Sequence, residues 1–303
     1  MLHITNGESV SIPQTGLPGD VAYWNDILHD GPVPSGLSLQ ELSRVRERFI
    51  VEFFSLPASE VSFAQRDEAV LHFRDHEEVV LWFEHDLYDQ LQLIQILDWF
   101  SRQDLAQTRL SLISVDSYLG PMRPEQLAPL FETRRAVTAA EFQTAQAAWT
   151  SFCSPEPTRL ADLLSRDTSA LPFLSAALLR HLQQFPALSN GLSRAERQIL
   201  ELTESGLHEF RELFPAAQKL EESIWMGDCT FFQYLRRLIT AKQPLVRSRD
   251  GGFESTPFGR LALAGKEDHV HVNGIDRWLG GVHLHEGASI WRWDQTARIV
   301  RPS

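Results

Sequence analysis

The chain has 303 residues, 43% of them hydrophobic, and a formal net charge of −12. That length suits two domains or one large one, and no apolar run approaches the ~18 residues of a membrane span. The first 190 residues carry 13 Arg, no Lys and 25 acidic residues, whereas residues 191–303 balance to zero, so the first part repels nucleic acid at long range. Two cysteines, Cys153 and Cys229, stand far apart without a C-x-x-C, which argues against a disulfide framework or a zinc knuckle. Cys229 reads as a core thiol. The start, Met1-Leu2-His3-Ile4-Thr5, has neither a basic n-region nor a signal-peptide core, and the expected setting is the bacterial cytoplasm.

The first expected element is a strand over residues 2–5, broken at Asn6-Gly7-Glu8-Ser9. Gly7 permits a tight turn there, and Ser9 suits the cap of a short helical turn limited by Pro13 and Gly16. A second strand over 20–24 empties into the polar loop Asn25-Asp26-Ile27-Leu28-His29-Asp30-Gly31-Pro32. Residues 38–54 have helical spacing, with Ser38 and Glu41 forming a capping box. The apolar run 79–83 predicts a buried strand that ends abruptly in Glu84, His85 and Asp86; Asp89 and Gln90 follow at the head of an apolar helix reaching Phe100. A fourth strand over 110–115 ends at Asp116. Strands alternating with helices predict a small parallel, Rossmann-like sheet within an α/β unit over 1–150.

Beyond Ser154-Pro155-Glu156-Pro157 the pattern turns helical, and 151–190 reads as a connector. A third unit, 191–303, opens with a Ser193/Glu196 capping box and a helix to about Ser205. Helices over about 209–220 and 228–240 follow, the last capped by Asp228 with Phe231, Leu235 and Leu238 on its apolar face. A hairpin turning at Asp250-Gly251-Gly252 completes a winged-helix-like pattern with a β-rich tail. Arg236, Arg237, Arg247 and Arg249 are expected to face outward, either free for DNA or paired with Glu221, Glu222 and Asp250. The tail tryptophans suit stacking on a ligand, or most simply cover the core of this third unit.

Three constellations carry chemistry. Asn6, Gly7, Glu8 and Ser9, with Glu84, His85, Asp86, Asp89, Gln90 and Asp116, fall at the carboxyl ends of strands one, three and four, which share one edge in a doubly wound sheet. Amides after Gly7 suit a phosphate or carboxylate, and Glu84, Asp86 and Asp116 suit a divalent metal such as Mg²⁺. His85 and Asp86 are the candidate catalytic pair, with His85 as general acid or base. The structural alternative has Asp86 and Asp89 capping the helix while His85 bridges to a neighbour. Asp26, His29 and Asp30 lie on the loop after strand two and can add ligands, or form only a solvated turn. Arg44 and Arg48 share a helix face that suits an anion or simply solvent. His269, His271, His283 and His285 form two H-x-H pairs that would place two ligands per strand on one face, or reflect packing alone.

Asn6-Gly7-Glu8-Ser9, residues 24–32 and His85-Asp86-Leu87-Tyr88-Asp89-Gln90, in that order, resemble the motifs of a bacterial family of unknown function. The resemblance implies an N-terminal α/β domain followed by a winged-helix-like part, and it brings no activity. Glu84-x-Asp86 after a strand also resembles the acidic pair of toprim domains, with Glu8 in place of their first glutamate; Glu at position 84 and His85 between depart from Asp-x-Asp. Two functions follow. One is an enzyme or nucleotide-handling protein that takes a small anionic ligand at the strand edge. The other is a non-catalytic, ligand-sensing regulator whose winged helix contacts a protein, or, against the charge, DNA.

Overall fold

The computed structural model describes residues 1–249 and 251–302. In chain order its main elements are β1 (Leu2–Thr5), β2 (Asp20–Tyr23), β3 (Gly31–Pro32), α1 (Leu39–Phe54), α2 (Ala64–Leu71), β4 (Glu78–Phe83), α3 (Leu87–Phe100), β5 (Arg109–Ser114), α4 (Pro124–Leu127), β6 (Arg135–Ala136) and α5 (Ala139–Phe152). Then come α6 (Thr158–Leu164), α7 (Leu174–Leu182), α8 (Arg194–Glu204), α9 (Phe210–Gln218), α10 (Asp228–Thr240), β7 (Val246–Arg249), β8 (Gly252–Ser255), α11 (Pro257–Leu263) and α12 (His269–Asn273). The tail adds β9 (Asp276–Gly280), β10 (Val282–His285), β11 (Trp291–Asp294) and β12 (Ile299–Pro302). No helix among the described residues is long and apolar enough to cross a membrane.

The main sheet has five strands in the order β2-β1-β4-β5-β6. The first four run parallel and β6 is antiparallel. Every residue of β4 is buried, because the sheet is covered on both faces. Successive side chains point to opposite faces, so Val79, Leu81 and Phe83 join Leu93, Ile94, Ala145 and Phe152 of α3 and α5 in one core. Val80 and Trp82 join Val10, Ile12, Leu119 and Phe131 on the other. From β1 the chain goes first to β2 on one side and later to β4 on the other, so the carboxyl ends of β1 and β4 flank the topological switch point, where open α/β sheets place their ligands.

Helix α1 starts as its sequence predicts: Ser38 accepts from the Glu41 amide, and Glu41 accepts in return from the Ser38 amide at 2.8 Å. The short 3₁₀ turn after β1 differs from expectation. It begins at Ile12 behind Ser11, so Ser9 does not cap it, and no side chain does. The helical stretch expected over 158–185 holds two helices, α6 and α7.

The third unit packs α8, α9 and α10 around Leu200, Leu213, Phe231, Leu235 and Leu238, with the β7–β8 hairpin and α11 closing the cluster. The N-cap of α10 is Gly227, one residue before the expected Asp228. The hairpin turn expected at Asp250 lies partly outside the described residues.

The tail does not stay with the third unit. Strand β9 pairs in parallel with β3 of the first unit and antiparallel with β10. Leu279, Val282, Leu284, Trp293 and Val300 belong to the same core as β1 and β4. The expectation that tail tryptophans cover the third unit is therefore corrected for Trp293. The β9–β10 turn lies directly against the end of α5: a Cβ on Gly281 would stand 2.0 Å from the Cys153 carbonyl oxygen, so only glycine fits.

Candidate functional site

At the end of β1, Asn6 is buried and its side-chain amide donates to Glu84 Oε1 at 3.2 Å and to Asp89 Oδ2 at 2.7 Å. At the end of β4, the Glu84 backbone amide donates to Asp89 Oδ1 at 2.7 Å. The amide of Leu119, in the turn after β5, donates to Glu84 Oε1 at 2.7 Å. Gln90 fixes the strand end by donating to the Glu84 carbonyl at 2.7 Å. Asp86 is the N-cap of α3 and accepts from the amides of Tyr88 and Asp89 through Oδ1, a geometry that places positions 86 and 89 on one side of the first turn.

Glu84, Asp86 and Asp89 each offer a carboxylate oxygen within 4.8 Å of the others, and all three are buried. None has an ion-pair partner among the described residues. Burial, followed by the charge of Glu84, pushes Asp86 up to about 7. Burial and the charges of Asp86 and Glu84 push Asp89 well above the ordinary carboxylate range. Burial raises Glu84 too, against the amides of Leu119 and Gly120 and the Asn6 side chain. Three like charges withdrawn from water have two remedies, a shared proton or a bound cation.

His85 lies at the rim, half-buried, its ring 4.9 Å from that of Tyr118 and 6.0 Å from that of Phe173. Burial lowers its pKa while the Asp116 charge opposes the fall. Asp116 itself is exposed and stands outside the three converging carboxylates. Glu8 is exposed as well, so the third carboxylate is Asp89, one helical turn into α3, and not the residue that the toprim comparison suggests. Gly7 has no left-handed backbone, and a Cβ there would meet only Asn25 at 4.0 Å, so the turn does not demand glycine. Ser9 is exposed beside Gly120, where an added Cβ would lie 3.1 Å from its hydroxyl.

The loop after β2 goes elsewhere. Asp26 and Arg46 form an ion pair at 2.9 Å with both side chains wholly buried, and Arg46 also donates to the carbonyls of Ile27 and Pro32. Arg46 thus organises this loop, while Arg44 and Arg48, the pair singled out by spacing, are exposed. His29 is buried edge-on against Trp225 at 4.7 Å, and burial lowers its pKa to about 3. Burial alone would raise Asp30, but Arg237, Arg277 and His29 carry it down to about 2. Asp26 and Asp30 therefore serve an internal network with arginine partners, while His29 joins it through ring contacts with Trp225 and Tyr88.

Arg237 corrects a further expectation. It turns inward to Asp30 at 3.4 Å and over the Phe53 ring, while Arg247 pairs with Glu254 at 2.7 Å and Arg249 with the same carboxylate at 3.6 Å. Glu221 and Glu222 pair instead with Arg180 and Arg194. His269 and His271 lie on α12 rather than a strand, and His283 bonds Asp276 at 2.7 Å and stacks on Trp278 at 4.4 Å. Among the described residues no metal-holding group includes these histidines. Cys229 is exposed; the buried thiol is Cys153.

Tyr118, Arg180 and residues 221–226 adjoin the site without a motif in the sequence, because only the fold brings them there. No family model matches the chain, and no curated protein matches its sequence.

Proposed function

We propose that this protein binds a divalent cation at Glu84, Asp86 and Asp89 and uses it to handle a phosphorylated or otherwise anionic ligand at the switch point between β1 and β4. The reading rests on one observation above the others: three buried carboxylates within 4.8 Å of one another and without an ion-pair partner among the described residues. At an effective dielectric near 20, two ionised carboxylates at that separation repel by roughly 3 kcal/mol, which a cation would reverse. The donor set is all oxygen, which suits Mg²⁺ or Mn²⁺ over softer metals. A cation there would polarise a phosphate and neutralise its charge.

In this reading Asn6 holds Glu84 and Asp89 in their ligating orientation. His85, neutral at pH 7 and at the rim, takes or gives a proton. The backbone following Asn6 lies beside the switch point for the anion. Calorimetric titration with Mg²⁺ and Mn²⁺ tests the reading: binding expected in the wild type and lost in Asp86→Asn would support it, and no heat at millimolar cation would sink it.

A second reading has a specific basis. Three helices followed by a hairpin are winged-helix-like, and Asp30 joins the first unit to α10 through Arg237 and to β9 through Arg277. A ligand-sensing regulator in the cytoplasm would use such a joint. Its contact would be a protein before DNA, since Arg237 points inward and Arg247 and Arg249 share Glu254. Salt-sensitive binding of duplex DNA in anisotropy assays would reverse that order.

A further inference from the structure

Asp86, one of the three carboxylates, is roofed. His85, Asp86 and Leu87 share a cavity of about 40 Å³ with Ala176, Arg180, Glu221 and Ser223. That volume admits a water or two and no phosphorylated organic molecule. The roof is the link between α9 and α10, residues 221–226, and several contacts hold it, Arg194 reaching Glu221 at 3.8 Å among them. Arg180 grips Glu221 in a two-pronged ion pair at 2.6 and 2.7 Å, with both side chains over nine-tenths buried. The Ile224 amide donates to the Tyr118 hydroxyl at 2.5 Å. Trp225 is buried between His29 and the Arg180 guanidinium, with ring-centre distances of 4.7 and 5.0 Å.

We propose that Glu221 stands in for the anion of the ligand: a phosphate-bearing ligand enters by displacing the Glu221 carboxylate from Arg180 and lifting residues 221–226. The geometry that Arg180 offers Glu221, two parallel N–H donors on a planar fork, is the one that a guanidinium offers a phosphate. Arg180 opens onto the same small cavity as Asp86, so a phosphate there would face the Asp86 carboxylate. Gln184 holds the remaining guanidinium nitrogen at 2.9 Å, which keeps Arg180 in place when Glu221 leaves. A second carboxylate, Glu222, is tied to Arg194 at 2.8 Å and anchors the far side of the segment. The closed form is thus stabilised by the charge that the ligand would bring. The inference deepens the cation-site reading, which supplies the other end of the ligand, but Arg180 and Glu221 are argued from their own contacts.

The test uses the full chain and inorganic phosphate as probe, followed by thermal shift and calorimetry with and without Mg²⁺. Glu221→Gln removes the competing charge and is expected to bind phosphate about tenfold tighter than the wild type, the effect of relieving a closed-state equilibrium of that size. Tyr118→Phe loosens the same segment without touching Arg180 and is expected to tighten phosphate severalfold, which keeps the test alive if Glu221→Gln does not fold. Adding Arg180→Gln to either variant is expected to abolish the gain while Mg²⁺ binding persists. Unchanged phosphate affinity in both single variants, or a gain that survives Arg180→Gln, overturns the inference. Phosphate gains without Mg²⁺ binding in any variant would leave Arg180 and Glu221 in these roles and remove the cation reading instead.

Discussion

Cation binding as proposed at Glu84, Asp86 and Asp89 would compete with protons, and the competition has a predictable size. With Asp86 raised to about 7, roughly 90% of the group is protonated at pH 6 and roughly 10% at pH 8. A cation that needs the ionised form therefore binds about tenfold more weakly at pH 6 than at pH 8. The upward shifts of Asp89 and Glu84 act in the same direction, so tenfold is the floor. Calorimetry in two buffers of different ionisation heat counts the protons directly: about one released per cation at pH 6 and about a tenth at pH 8 from Asp86 alone. The metal-free protein shows the opposite face of this linkage. A carboxylate whose folded pKa exceeds its unfolded value contributes stability below the unfolded pKa and loses it as pH rises through the folded one. The melting temperature without metal should fall between pH 4 and 8, and Mn²⁺ should restore it at pH 8. An affinity that is flat from pH 6 to 8, or no proton release, would refute the reasoning.

Asp89→Asn removes one charge from the group while keeping a similar shape. It should raise the metal-free melting temperature at pH 8 and weaken Mn²⁺ binding at least tenfold; a lower melting temperature with unchanged affinity would mark Asp89 as purely structural. Arg46→Met strands the buried Asp26 carboxylate and should cost about 3–5 kcal/mol, read as a lower denaturant midpoint. Adding Asp26→Asn should recover part of that loss, and no recovery would mean that the Arg46 bonds to Ile27 and Pro32 matter more than the ion pair. A chain ending at residue 190 should not fold cooperatively, since Leu279, Val282, Leu284, Trp293 and Val300 fill the first unit's core; a sharp melting transition for that fragment would refute this.

Local signals were the legible ones. The apolar run 79–83, the Ser38/Glu41 and Ser193/Glu196 caps and the apolar face of α10 depend on spacings of two to four residues, and the structure bears them out. The gathering of Asn6, Glu84, Asp86 and Asp89 was legible because a parallel sheet puts the ends of β1 and β4 side by side. What a motif does not carry is direction. Asp26, His29 and Asp30 follow β2 at the same edge, yet they turn away to partners on α1, α10 and β9. Arg46 lies between two exposed arginines, and composition alone does not distinguish the one that is buried. Strand β5 ends at Ser114, so Asp116 falls two residues past it at the surface, and its charge is felt at the rim, at His85. The tail was the hardest to place, since β9 finds β3 across more than 240 residues of chain, and no local pattern encodes such a pairing.

Asp30 shows why this long-range closure matters to the site. Its carboxylate lies 3.4 Å from Arg237 of α10 and 3.6 Å from Arg277 of β9, and the next residue begins β3, which pairs with β9. Its neighbour His29 touches Trp225 on the roof and lies 6.1 Å from the ring of Tyr88, whose hydroxyl donates to the Asn6 carbonyl. The roof, the tail and the strand end that orients the carboxylates are therefore linked through two adjacent buried residues. A buried charge held by two arginines does not relocate at small cost, so motion at the site is confined to the elements whose anchors are exchangeable. Under the proposed opening, residues 221–226 carry such an anchor: Glu221 also lies against two arginines, Arg180 at 2.6 Å and Arg194 at 3.8 Å, but a phosphate would take its place there, and Ile224 is held by a single hydroxyl. On the proposed reading the core network fixes Asn6 and Tyr88, and the roof, with Trp225 packed on His29, opens only when a phosphate replaces Glu221 at Arg180.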